Sequence, residues 1–163
     1  MKLNRKGFML AEVVIVSIVI ATVLVVLYAG LKNVSSAYET RNRYYDIDSL
    51  YSAMDINDIL IKNNSSFINS NTAIELTNDN DINEFYEFYK NTGYSIKSYL
   101  SPYNSMQMQS LKNLNDNVTF YEYIDYLDGN INFNEDYDYI IIVERTNIND
   151  KDDCYYYALK LKF

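Results

Sequence analysis

From Phe8 to Leu31 the chain reads "FMLAEVVIVSIVIATVLVVLYAGL", 24 residues with one charge, Glu12. As a helix rising 1.5 Å per residue this run is roughly 36 Å long, enough to cross a hydrocarbon layer of about 30 Å. Ser17 and Thr22 fit such a helix, because their hydroxyls can bond back to its own carbonyls. Lys2, Arg5 and Lys6 all precede the run. The bias of basic residues toward the cytoplasm places the N-terminus inside and everything after Leu31 on the far side of the membrane. Glu12 is the anomaly. A carboxylate near a bilayer centre costs about 2.5–3.5 kcal/mol on translocon scales. Helical rise puts Glu12 only about 6 Å from the start of the run, a shallow position that can be tolerated, and a residue this unfavourable calls for a partner.

Two ordinary readings fit the run without explaining Glu12. A secretory signal peptide has the right basic start, and "SSA" at 35–37 has the small residues of a cleavage site. Signal-peptide apolar regions, however, are about 7–15 residues long. A plain signal anchor fits the length and leaves the carboxylate without a role.

The stretch "RKGFMLAEVVIVSIVI", residues 5–20, resembles the N-terminus of type IV pilins and of the pilin-like subunits of type II secretion and competence systems. The shared pattern is a short basic leader ending in Gly, then Phe, a Glu at the fifth mature position and a long apolar helix. Gly7, Phe8 and Glu12 occupy these positions here. The resemblance covers residues 1–31. It implies cleavage between Gly7 and Phe8 by a membrane-embedded prepilin peptidase, which also methylates the new amino terminus of Phe8. It implies, too, that Glu12 meets the Phe8 amine of a neighbouring subunit during assembly on a membrane platform. Two features depart from the major pilins. No proline interrupts the helix pattern, since Pro102 is the only one, and the lone Cys154 cannot form the C-terminal disulfide. Both favour a minor pilin or pseudopilin.

The rest of the composition narrows the chemistry. There is no His and one Cys. Imidazole bases and zinc-type metal sites are therefore ruled out, leaving hard oxygen donors. Asp128, Asn130 and Asn132 alternate as calcium ligands would, but no EF-hand spacing is complete and Asx-rich loops are usually solvated turns. The expectation is no metal, no cofactor and no catalytic constellation, hence no enzyme. Net charge is −8, and loss of Lys2, Arg5 and Lys6 with the leader takes it to −11. Direct binding to nucleic acid phosphates is not expected.

Past Leu31 the chain becomes polar but keeps a helical pattern to Lys62, before "NNSS" at 63–66 stops it. Ile47, Leu50, Tyr51, Met54 and Ile61 recur near helical spacing and read as the core face of a helix backing a sheet. The expected organisation is a leader at 1–7, a membrane or filament-core helix at 8–31, its amphipathic continuation at 32–62 and a globular head at 63–163. In the head, "YDYIIIVER" at 137–145 reads as a central strand. "CYYYALKLKF" at 154–163 reads as its hairpin partner, with Tyr155, Tyr157, Leu159, Leu161 and Phe163 facing the helix. "TAIEL" at 72–76 suggests a short strand. "DINEFYEFYKN" at 81–91 suggests a helix with Asp81 as N-cap. "DNVTFYEYIDYLDG" at 116–129 fits a helix, with a strand as the alternative, and Pro102 marks a loop. The fold class is α+β, a long N-terminal helix on a small antiparallel sheet.

These readings point to a structural subunit of a type IV pilus, type II secretion or competence filament. It starts as a single-pass membrane protein with its head outside and ends in a surface filament. The rival is a signal-anchored extracellular binding module that never polymerises.

Overall fold

The computed structural model describes residues 5–62, 71–76 and 80–163, with the backbone alone for residues 5–8, 80 and 81. The helix stop at 63–66 lies outside these residues, whereas Asp81, expected as an N-cap, is already helical, because α3 begins at Asn80. The chain divides into two compact units at the Arg41–Asn42 boundary. The first is helical: α1 runs from Arg5 to Tyr44, so that its last turn belongs to the second unit. In the second unit follow α2 (Ile47–Lys62), β1 (Ile74–Glu75), α3 (Asn80–Lys90) and β2 (Tyr94–Pro102). They are succeeded by α4 (Ser105–Ser110), a 3-10 turn (Leu111–Leu114), α5 (Val118–Asn130), β3 (Tyr139–Asn147) and β4 (Asp150–Leu161).

The four strands lie in the order β1-β2-β3-β4, every pair antiparallel. The fold is α+β, as the sequence pattern predicts. β3 is central, and its Ile140–Val143 run is buried on both faces. On one face Ile141, Val143, Ile96, Leu100 and Leu161 pack with Ala53, Ile56 and Leu60 of α2 and Ile82 of α3. On the other, Ile140, Ile142, Tyr99, Cys154 and Tyr156 pack with Met108, Leu111, Phe120, Tyr123 and Ile124. Leu159 and Leu161 of β4 thus face α2 as expected, while the opposite face of the strand forms a second core under α5. Gly93 takes a φ of 88° where α3 turns into β2, a conformation open to glycine and strained for other residues.

Helical residues extend from Arg5 to Lys62 with one interruption, at Tyr45 and Asp46. Asp46 causes it. Its Oδ2 accepts from the Ser49 N–H at 2.9 Å and its carbonyl accepts from the Leu50 N–H, the geometry of an N-cap for α2. The same carboxylate receives Arg145 of β3 in a two-pronged bond, Nε to Oδ2 and Nη2 to Oδ1, each 3.0 Å. The guanidinium is sandwiched between the rings of Tyr94 and Tyr155, 4.3 and 4.8 Å from their centroids.

The outward face of α2 differs from expectation. Ile47, Tyr51, Met54 and Ile61, read above as core, are 64, 58, 49 and 54% exposed. The buried face is Ser49, Ser52, Ala53, Ile56 and Leu60. Small residues let the helix approach the sheet closely. The serines are satisfied locally: Ser49 Oγ donates to Asp46 and Ser52 Oγ to the Asp48 carbonyl.

Two outcomes are expected. A fragment beginning at Lys32 will be soluble and give a cooperative unfolding transition, since both sheet cores lie beyond Asn42. Aggregation of that fragment beside a folded full chain in detergent would place the boundary wrongly. Arg145→Ala will lower unfolding stability by about 3–5 kcal/mol, the usual consequence of stranding one partner of a buried ion pair. Arg145→Lys will recover only part of this, since an ammonium cannot form the fork or stack between the rings. Denaturant titration of the same fragment measures both.

Candidate functional site

Helix α1 carries the residues singled out in the sequence. Gly7 and Phe8 lie in its first turn, and Glu12 follows one turn later, exposed. Every described side chain from Met9 to Leu31 is exposed, apolar ones included. The most apolar 18-residue window has a mean hydropathy of 2.9 and none of it is buried. By length and composition this helix can cross a membrane. Its polar residues behave as expected: Ser17 Oγ donates to the Val13 carbonyl and Thr22 Oγ1 to the Ile18 carbonyl, both at 2.8 Å. Their protons are thereby taken, and Glu12 is the only charged group between Phe8 and Leu31. No described side chain bonds to it, so the arrangement offers an exposed apolar rod with one carboxylate near its entry.

The head contains a second polar centre that sequence reasoning missed. Glu144 is 3% exposed in the middle of the sheet. Asn115 Nδ2 donates to its Oε2 at 2.6 Å and Tyr99 OH at 3.3 Å. Asn117 Nδ2 donates to Oε1 at 3.3 Å. Above it opens a cleft of about 820 Å³, walled in part by Lys97, Asn117, Thr146 and Lys151. The signal was available as a lone acid in an apolar strand, "YIIIVER", but its amide partners lie far away in sequence. Burial raises the Glu144 pKa above the ordinary carboxylate value, against the opposing influence of Lys97 and of the donors. Cys154 is no nucleophile in waiting: it is buried and its Sγ donates to the Lys151 carbonyl at 3.0 Å.

Among the described residues no group of three or more His, Cys, Asp and Glu side chains could hold a metal. Asp128 and Asn130 are helical, and Asn132 Oδ1 accepts from the Asn134 N–H in a turn.

No protein-family model, no curated protein and no solved structure matches this chain. The local architecture therefore stands on its own geometry: a long apolar N-terminal helix, and a helix-backed four-stranded antiparallel sheet.

The Glu144 environment generates a pH prediction. The folded state holds that proton more tightly than the unfolded chain. Folding stability contributed by this group is therefore highest below the ordinary carboxylate pKa and declines as pH rises through the raised one. Glu144→Gln will remove this part of the slope. Urea midpoints measured across the acidic range will show it, and identical slopes in both proteins would overturn the assignment.

Proposed function

We propose that this chain is a structural subunit, a minor pilin or pseudopilin, of a type IV filament system serving a pilus, secretion or competence. The observation that carries the reading is the constellation at the N-terminus. A basic segment ends at Gly7–Phe8, and Glu12 stands at the fifth position after it. Both head a helix whose apolar side chains are unpacked along its length. A water-soluble chain cannot leave such a surface uncovered. A bilayer before assembly and like helices afterwards would cover it.

The mechanism is polymerisation. Cleavage after Gly7 by a prepilin peptidase creates a cation on Phe8, which the peptidase methylates. Held in the membrane with its head outside, the subunit is lifted by an assembly platform into a stack. There Glu12 pairs with the Phe8 amine of a neighbour. In low dielectric the attraction is strong, but desolvating each ion costs several kcal/mol, so the pair acts more as a register device than as a net source of stability. The cleft over Glu144 favours a second reading, a signal-anchored binding module that stays a single copy. The mature N-terminus separates the two.

Gly7→Lys will therefore block processing, because that peptidase needs a small residue at the cut, and the precursor will keep its full mass. Glu12→Ala will leave insertion and cleavage intact and reduce incorporation into sheared filaments. A neighbour's amine would then be buried without a counter-charge, at about 3–5 kcal/mol. Glu12→Gln will be intermediate, keeping an acceptor but not the charge. Equal incorporation of Glu12→Ala and wild type, scored as the filament fraction against the membrane fraction, would overturn the pairing.

A further inference from the structure

The outward face of α2 and the stalk, the part of α1 from Leu31 to Arg41, carry matching patterns. On α2, Ile47, Tyr51, Met54 and Asp58 recur at helical spacing and are all exposed. On α1, Leu31, Val34, Tyr38 and Arg41 recur at nearly the same spacing and are likewise exposed. Each row is three apolar side chains followed by one charge, and the charges are opposite. The surroundings repeat the contrast. Around the stalk α1 adds Lys32 and Arg43 against Glu39, while α2 adds Asp55, with Asp48 beside Arg145 and Lys62 at its far end. Among the described residues neither Arg41 nor Asp58 has an ion-pair partner.

We propose that the exposed stripe of α2 is the docking surface for the stalk of a second copy of this chain, the two helices running parallel. In that register Leu31 lies opposite Ile47, Val34 opposite Tyr51, Tyr38 opposite Met54 and Arg41 opposite Asp58. Apolar rows supply the buried area and the terminal charge pair selects the register, because a shift by one turn leaves both charges against apolar groups. The contact is heterologous: the patch that gives differs from the patch that receives. Each copy therefore keeps one free donor and one free acceptor, which generates an open stack rather than a closed dimer. The inference rests on the polymerisation reading above and specifies a contact between its subunits beyond the Glu12–Phe8 pair.

The experiment uses full-length chains carrying two different tags, co-expressed in one membrane. One copy carries Tyr38→Cys and the other Met54→Cys, the native Cys154 being buried. A cross-link joining the two tags, absent when either cysteine is missing, is the expected result. In parallel, Arg41→Asp will reduce incorporation about tenfold or more through like-charge contact with Asp58. Asp58→Arg in the same chain will restore it, a rescue that an unfolded variant cannot give. If wild type assembles while the reversal assembles equally well, or the double variant stays defective, the interface is wrong and polymerisation stands. If wild type is recovered only as single copies, the interface falls together with the reading beneath it.

Discussion

The carboxylate of Asp46 ties α2 to the central strand: it caps the helix and receives Arg145 from β3. Capping alone is worth about 1 kcal/mol. The ion pair, with side chains only 10 and 14% exposed, must first offset the desolvation of two charges. Its value lies in exclusivity. The guanidinium is planar, flanked by Tyr94 and Tyr155, and its fork matches one carboxylate orientation. The first turn of α2 consequently has one seat against β3, and the small face of Ser49, Ser52 and Ala53 settles on the sheet from there.

The opposite face of the sheet solves a different problem. The head has few aliphatic residues and many of the chain's 18 tyrosines. Tyr supplies large buried area but brings a hydroxyl that must be satisfied. Tyr156 meets Thr119 Oγ1 at 2.7 Å, Tyr103 donates to the Asn132 carbonyl at 3.1 Å, and Tyr99 sits in the Asn115–Glu144 network. Burial raises the pKa of Tyr99 and Tyr156 far above the ordinary phenol value, so these rings stay neutral donors and acceptors throughout physiological pH. Tyr44, at the end of α1, completes the cluster with ring contacts to Tyr123 and Tyr126 at 5.0 and 4.9 Å.

What was legible in the sequence follows from these interactions. β3, β4, α3 and the short β1 were visible because their patterns are local. The helical reading of 116–129 won over the strand because Asn117 caps it, its side chain accepting from the Thr119 N–H at 3.0 Å. β2 was missed. Ser95, Lys97, Ser98 and Ser101 dilute its apolar residues, and Pro102 suggested a loop where it closes the strand against Tyr139. The orientation of α2 was misread because periodicity finds an apolar stripe and does not say whether the protein covers it. When the buried face is built of serine and alanine, the larger side chains are left outside. The Asp46–Arg145 pair spans 99 positions, and no local pattern reveals a contact at that separation.

The same limit bears on α1 itself. A helix apolar on every side can rotate and slide against a like helix, or within lipid, at little change in energy, because lipid tails are as apolar as leucine. Shape and hydrophobicity therefore cannot define a register for Phe8–Leu31. Directional groups must do so, and the helix has few. Ser17 and Thr22 have their hydroxyl protons bound to the helix's own carbonyls. Gly30 offers a small surface but no bond. Glu12 alone combines charge, exposure and free acceptor capacity, and it stands near the start of the apolar run rather than at its middle. A shallow carboxylate is the least costly place to put a register mark in such a segment. In the proposed filament it would stay hydrated until the neighbour's amine arrives, and the cost of drying it would arise only with a partner present to offset it.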